Sequence, residues 1–179
     1  MGRSENRGAA GLTLQNRSGI KQIGLGILVA GVAALITSAQ SDPITARVER
    51  VIDGDTVRVR FKGQSHIVRL IGVDTPETSH PSKAVQYFGR EASAFTKAHL
   101  EGKTVRLAKD SIGDTRDRYG RLLRYVYLDG DNFNARLIRE GDAHAYRRFP
   151  FSRRQAFIRL EQQARKRGKG LWGRRPRMR

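Results

Sequence analysis

Thr56-Val57-Arg58-Val59-Arg60-Phe61-Lys62-Gly63-Gln64-Ser65-His66-Ile67-Val68-Arg69-Leu70-Ile71 is the stretch that decides the fold. Val57, Val59 and Phe61 alternate with Arg58 and Arg60, the two-residue period of a strand with one face covered and one face in water. Lys62-Gly63 can turn the chain into His66 to Ile71, so the stretch reads as a β-hairpin. Outward from it, Val105 and Leu107 alternate in the same way, and Arg124 to Leu128 is rich in aromatic and β-branched residues before a turn at Asp129-Gly130. Several short strands of this kind from Ile44 onward predict a small barrel.

Three helices are predicted among the strands. Glu91 to Leu100 carries Ala92, Phe95 and Ala98 at helical spacing, and Asn132 to Glu140 carries Phe133, Leu137 and Ile138 and stops at Gly141. Ser152 to Arg167 has Ala156, Phe157, Leu160 and Ala164 on one face, Ser152 as a candidate N-cap and Gly168 beyond its end. The apolar faces of all three read as core. After Arg165 the chain becomes strongly basic, and Leu171-Trp172 would pin its end onto the core.

The chain is 179 residues long, one ordinary domain with an appendage. Lys and Arg number 35 against 17 Asp and Glu, a formal charge of +18 spread along the whole length, for which a polyanion is the natural partner. Solubility alone, or adhesion to anionic lipid, is the other reading of such a surface. With no cysteine, disulfides and thiolate zinc sites are excluded. His66, His80, His99 and His144 are scattered without metal-ligand spacing and read as surface or packing residues, so any metal must be held by oxygen.

Residues 1–41 differ from the remainder. Arg3, Arg7, Arg17 and Lys21 precede a nearly unbroken apolar run from Ile23 to Ile36, followed by the small residues Thr37-Ser38-Ala39. An apolar core of ~14 residues suits a cleaved secretory signal better than the ~20 of a membrane span. Counted as Ile20 to Ala39, the same window would serve as an uncleaved anchor with its amino end cytoplasmic. Both readings place the rest of the chain outside the cytoplasm, with any membrane contact made through this segment alone. A core helix is disfavoured by Gly24, Gly26 and Gly31 and by the lack of a polar face.

The chemistry concentrates where the hairpin ends. Arg69-Leu70-Ile71-Gly72-Val73-Asp74-Thr75-Pro76-Glu77 runs from a strand into two carboxylates held on a proline turn. Asp53 and Asp55, in Val51-Ile52-Asp53-Gly54-Asp55-Thr56, form a second acidic pair, and Asp117-Arg118-Tyr119-Gly120-Arg121 supplies a second arginine. Phosphodiester hydrolysis needs a nucleophile and relief of the negative charge that builds on the phosphoryl oxygens. Asp55 and Asp74, with the Thr75 carbonyl and water, make an oxygen-rich cage suited to a hard cation such as Ca²⁺. Glu77, stiffened by Pro76, is the candidate general base, and Arg69 and Arg121 can each present a planar fork of donors to phosphoryl oxygens. Taken singly, each of these residues would pass for a solvated turn or surface charge; recurrence of the set gives it weight.

The ordered motifs Val51 to Thr56, Arg69 to Glu77, Glu91-Ala92-Ser93-Ala94-Phe95-Thr96-Lys97 and Asp117 to Arg121 resemble the staphylococcal nuclease, or thermonuclease, family from about Ile44 to Trp172. The resemblance implies an α+β, mainly β fold: a five-stranded oligonucleotide-binding (OB) barrel with about three appended helices. It implies a Ca²⁺-dependent endonuclease acting on DNA and RNA by direct attack of water, leaving 3′-phosphate and 5′-hydroxyl ends. Position by position, Asp55, Asp74 and the Thr75 carbonyl become calcium ligands with Asp53 in support, Glu77 the base, and Arg69 and Arg121 the transition-state clamps. Tyr119 becomes a phosphate-contacting tyrosine, with Arg118 where a lysine is common in the family. Near Ala145-Tyr146-Arg147-Arg148-Phe149 the register slips, which leaves Tyr146 either a base-stacking residue or a packed aromatic at a strand end.

The expected organisation is therefore an export segment or anchor over 1–41, a nuclease-like domain over 42–173 and a basic tail over 174–179, acting as a monomer. A barrel that binds nucleic acid without cutting it is the rival from another class, because fold alone does not set function. A binding-only domain has no use for Glu77 together with Arg69 and Arg121.

Overall fold

A computed structural model describes residues 43–78 and 84–173. The expected export segment, the 174–179 tail and His80 lie outside the described residues. Along the chain come β1 (Ile44–Asp53), β2 (Thr56–Phe61), β3 (Gln64–Leu70), β4 (Val73–Asp74), α1 (Gly89–Leu100), β5 (Thr104–Ala108), β6 (Leu122–Leu128), β7 (Asp131–Asn132), α2 (Phe133–Glu140), β8 (His144–Ala145) and α3 (Arg154–Lys166), then a 3₁₀ turn at Gly170–Trp172. The main sheet runs β3-β2-β1-β5-β6-β7, and a parallel pairing of β3 with β6 closes it, so that β1, β2, β3, β5 and β6 form a five-stranded barrel. With three helices outside it, the architecture is the α+β, mainly β OB-type barrel that the resemblance implies.

The hairpin forms as its alternation predicts. Val57 and Val59 are buried between exposed Arg58 and Arg60, and β2 pairs with β3 from Thr56↔Arg69 to Phe61↔Gln64. Lys62 and Gly63 both have positive φ, 49° and 75°, the mirror-image turn whose twist matches that of the flanking strands. Val48, Val57, Val59, Val68, Leu70, Leu107 and Val126 fill the barrel and are at most 1% exposed. Each such side chain contributes about 1.5–3 kcal/mol from burial.

One irregularity in β1 places the site. Val48 pairs with Val59 but Arg50 pairs with Arg58, which leaves Glu49 as an extra residue, and a second shift follows between Val51 and Asp53. The buried positions pass from Ala46 and Val48 to Val51 and Asp53. A bulge has this effect because a one-residue slip exchanges the two faces of a strand. Asp53 is thereby turned inward at the end of the barrel.

Asn132 caps α2 by accepting a hydrogen bond from the Ala135 N–H at 3.0 Å, and Gly141, at φ 84°, ends it in the left-handed conformation. Two helix expectations need correction. Ser152 does not cap α3, which starts at Arg154; its hydroxyl donates instead to Asp110 at 2.6 Å, a stronger, charge-assisted partner than a helix N–H. On α1 the covered face is Ala92, Thr96 and Leu100, with Ala98 exposed. Thr96 lies inside because its hydroxyl donates to the Gly54 carbonyl at 2.6 Å, tying the helix to the β1–β2 turn.

Candidate active site at the mouth of the barrel

Asp55 leaves the β1–β2 turn beside the end of β3, held there by the Leu70 N–H donating to its carbonyl at 2.9 Å. Its carboxylate is buried and fully engaged: Oδ1 accepts from Thr56 Oγ1 at 3.0 Å, while Oδ2 accepts from the Thr75 N–H at 2.9 Å and meets Arg69 Nη2 at 2.9 Å. Gly54 makes this approach possible, since a Cβ there would lie 2.8 Å from Thr75 side-chain atoms. Arg69 extends from β3 and braces the next turn, with Nη1 donating to the carbonyls of Val73 at 2.8 Å and Leu70 at 3.2 Å. The same Nη2 that meets Asp55 is 3.5 Å from Asp74 Oδ1. Two carboxylates, one from the β1–β2 turn and one from β4, thus converge on one guanidinium nitrogen.

Burial raises the Asp74 carboxyl above its ordinary value; Arg69 opposes the rise and Asp55 reinforces it. The Thr75 hydroxyl oxygen is buried with no hydrogen-bond partner. Asp53 accepts from the Gly54 N–H at 2.8 Å and from Thr78 Oγ1 at 2.6 Å. Burial raises its carboxyl too, against the Thr78 bond, and the adjacent Glu77 carboxylate adds to the rise. Glu77 is clamped through its backbone, its N–H donating to Gln86 Oε1 and its carbonyl accepting from the Gln86 N–H, both at 3.0 Å. Among the described residues no group of three or more His, Asp or Glu side chains converges as a metal cluster.

In the loop before β6, Arg121 Nε donates to Asp117 Oδ2 at 2.6 Å, and Asp117 Oδ1 accepts from the backbone N–H of Tyr119 at 2.9 Å and of Arg121 at 3.0 Å. Arg118 lies over the Tyr119 ring at 4.8 Å and donates to its hydroxyl at 2.6 Å, and Arg121 lies 5.4 Å from the same ring. The loop carrying these residues is held from below by buried Arg124, whose Nη1 donates to the Thr115 carbonyl at 2.9 Å. A cleft of about 560 Å³ is lined by Arg69, Arg118, Tyr119, Arg121 and Tyr146, with Phe149 among the other residues. Tyr146 is seated by its N–H donating to the Gly72 carbonyl at 2.9 Å, and its ring is 5.9 Å from that of Phe149.

The candidate metal, catalytic and substrate-binding residues therefore gather at one end of the barrel. Both arginines, Arg118, Tyr119 and Tyr146 line the cleft; Asp55 and Asp74 join it through Arg69, and Thr75 through Asp55; Glu77 stands on the acidic side beside Asp53 and outside the lining of the cleft. The supports Thr78, Gln86 and Arg124 were not legible as site residues, because each acts through a hydrogen bond to another segment, whereas Thr96 lay within the quoted Glu91–Lys97 motif. Asp117 had a signal, lying within the quoted arginine motif. The described histidines pack as expected: His66 on Phe61 at 4.3 Å, His99 on Phe95 at 4.2 Å and His144 edge-on to Trp172 at 4.9 Å.

Comparison with known proteins gives the same direction. Residues 67–174 match the family model described as staphylococcal nuclease homologue. The chain is 39% identical over 169 residues to the thermonuclease of Staphylococcus hyicus, covering 86% of this chain and 99% of that protein. It is 44% identical over 128 residues to the thermonuclease of Staphylococcus intermedius, covering 71% and 75%. Endonuclease YncB of Bacillus subtilis is 39% identical over 135 residues, covering 74% of this chain and 64% of that protein. With the barrel, the paired acids and the two cleft arginines in place, the chain belongs to the staphylococcal nuclease family and is a phosphodiester-hydrolysing nuclease.

Proposed function

We propose that the protein is an exported, Ca²⁺-dependent endonuclease that cuts DNA and RNA with little sequence specificity and leaves 3′-phosphate and 5′-hydroxyl ends. The observation that carries this reading is the convergence of Asp55 and Asp74 on Arg69, which lines the same cleft as Arg121.

The residues present fit a hard divalent cation. The donors are oxygens, one guanidinium faces two carboxylates, and the Thr75 hydroxyl beside them is buried and unpartnered. Asp55, Asp74 and the Thr75 carbonyl would hold it, and Asp53 would support Asp55 from the same turn. When bound, the cation supplies Lewis-acid neutralisation of a phosphoryl oxygen.

The protein's own groups account for the rest. Glu77 accepts a proton from water as the water oxygen attacks phosphorus; the bond from phosphorus to the 5′ oxygen breaks, and that oxygen leaves with the bonding electron pair and takes a proton from solvent water. Arg69 and Arg121 present forks of donors to the phosphoryl oxygens, where charge accumulates as the bonds exchange. Asp117 holds Arg121 in position before substrate arrives. Arg118 and Tyr119 contact a neighbouring phosphate, and Tyr146 stacks on a base with Phe149 beside it. Residues 1–41 direct the domain, a monomer, out of the cytoplasm, as a cleaved signal or as an anchor.

Digestion of end-labelled single- and double-stranded DNA and RNA, with Ca²⁺ and with chelator, tests the proposal. Cleavage that requires Ca²⁺ and leaves 3′-phosphate ends is expected. Undiminished cleavage in chelator would remove the cation's role, and binding of both substrates without cleavage would make the domain a binding module.

A further inference from the structure

The outer wall of the barrel carries an arrangement that the reaction does not use. In the antiparallel register of β1 and β2, Arg50 stands directly opposite Arg58 and Arg47 directly opposite Arg60. All four are exposed. On β5, Thr104 pairs with Arg47 and Thr45 pairs with Arg106, which places Arg106 diagonal to Arg47 on the same face. Arg106 lies over the Tyr127 ring at 4.8 Å.

Like charges directly opposite one another across strands destabilise a sheet. Here two such rungs are stacked, with one acid to offset them: Glu49, the bulge residue, accepts hydrogen bonds from Arg60 and, at 2.7 Å, from the Ser65 hydroxyl, and these bonds hold its carboxyl below the ordinary range. Among the described residues Arg47, Arg50 and Arg58 make no ion pair. The cleft arginines differ in this respect, since Arg69 and Arg121 are both engaged by aspartates. Four arginines offset by the single carboxylate of Glu49 leave a surface suited to an external polyanion.

We propose that the arginine rungs Arg50/Arg58 and Arg47/Arg60, extended by Arg106, form an exosite that grips the phosphate backbone of a polynucleotide beyond the catalytic cleft. The spacing favours this occupant. Successive outward side chains on β2 are about 6.8 Å apart, close to the phosphate repeat of an extended nucleic-acid strand. The rungs also begin near the acidic turn, since Arg58 follows Asp55 by three residues, about 10 Å along the chain. A strand that leaves the cleft over the Asp53–Asp55 turn would meet the rungs, and a substrate too short to span both surfaces would not. The inference rests on the nuclease reading for its occupant, but its test reads binding and not turnover.

The experiment compares the full chain carrying Glu77→Gln with the same chain also carrying Arg47→Gln, Arg50→Gln and Arg58→Gln. Fluorescence anisotropy is recorded on a labelled tetranucleotide and a labelled oligonucleotide of about 20 nucleotides, across a salt series. Each phosphate contact adds about 0.7 to the slope of log K against log salt for a single strand, so the triple substitution should lower the slope on the long strand by about 2. Affinity for it at about 0.1 M salt should fall about tenfold or more, removing most of its advantage over the tetranucleotide. The Arg→Lys triple keeps the charge and should keep the slope. Because the Gln triple relieves repulsion, its Tm should not fall, which separates lost contacts from lost folding. An unchanged slope on the long strand overturns the proposal. It is equally overturned if the Gln triple loses binding to phosphatidylserine vesicles while keeping its oligonucleotide affinity.

Discussion

Arg69 Nη2 and Asp55 Oδ2 meet at 2.9 Å, and that same carboxylate oxygen accepts the Thr75 N–H, so one contact joins the β1–β2 turn, β3 and the β4 turn. The guanidinium also holds the Val73 carbonyl, which makes Arg69 both a structural brace and the proposed clamp. Arg69→Lys keeps the charge but loses the planar fork. Loss of one preorganised donor typically costs about 10²–10³ in kcat, and loss of its buried hydrogen bonds about 1–3 kcal/mol of stability. Steady-state kinetics on a labelled oligonucleotide together with thermal unfolding should show both falls in the same variant.

Glu77 is anchored through its backbone by Gln86, so its side chain can be altered with little disturbance to the fold. Glu77→Gln should lower kcat by about 10²–10⁴, the usual contribution of a positioned base, with oligonucleotide affinity changed by less than about threefold. Equal turnover in the variant and the parent would assign the base elsewhere.

Gly54 is set by a close approach. An added methyl would lie 2.8 Å from the Thr75 side chain, so Gly54→Ala must push the acidic turn away from the Asp74–Thr75 turn. Overpacking of this sort costs about 1–3 kcal/mol. Because the displaced segments carry Asp55 and Thr75, the proposed calcium ligands, the apparent affinity for Ca²⁺ should weaken as well on that proposal, and calcium titration of cleavage would read that shift.

Asp110 accepts from Ser152 Oγ at 2.6 Å, from Tyr125 Oη at 2.5 Å and from the Ile112 N–H at 2.9 Å. Although burial opposes it, this set of donors, led by Ser152 and Tyr125, lowers the Asp110 carboxyl from 3.8 to about 2. A carboxyl depressed on folding adds stability that is full above its unfolded value and is lost as pH falls through its folded value, here between about pH 4 and pH 2. Asp110→Ala should therefore destabilise the protein by about 2 kcal/mol at neutral pH, and the difference should vanish near pH 2. Denaturant unfolding at a series of pH values measures it.

Asp142 has the opposite sign. Burial, reinforced by Glu140 and opposed by Lys169, raises its carboxyl from 3.8 to about 6, and its Oδ2 is buried with no hydrogen-bond partner. The folded state binds the proton more tightly, so stability declines as pH rises from about 4 to 6. Asp142→Asn removes the ionisation and should raise Tm at pH 7–8, with little change near pH 4. A lower Tm at neutral pH would contradict the assignment.

The sequence alone determined the hairpin, the barrel class and the identity of the acids and arginines. Strand alternation in Val57 to Phe61 and positive-φ residues at Lys62-Gly63 are local properties, and local physics reads them directly. The motif residues carry their chemistry in their side-chain types. What only the tertiary structure decided is how those groups meet. The bulge at Glu49 turns Asp53 inward, Asn134 Nδ2 reaches the Ile71 carbonyl at 2.9 Å across 63 residues, and Ser152 leaves a helix cap to bond Asp110 42 residues away. Such contacts leave no periodic trace, because a hydrogen bond between distant segments depends on where the closed barrel brings them and not on the spacing within either one.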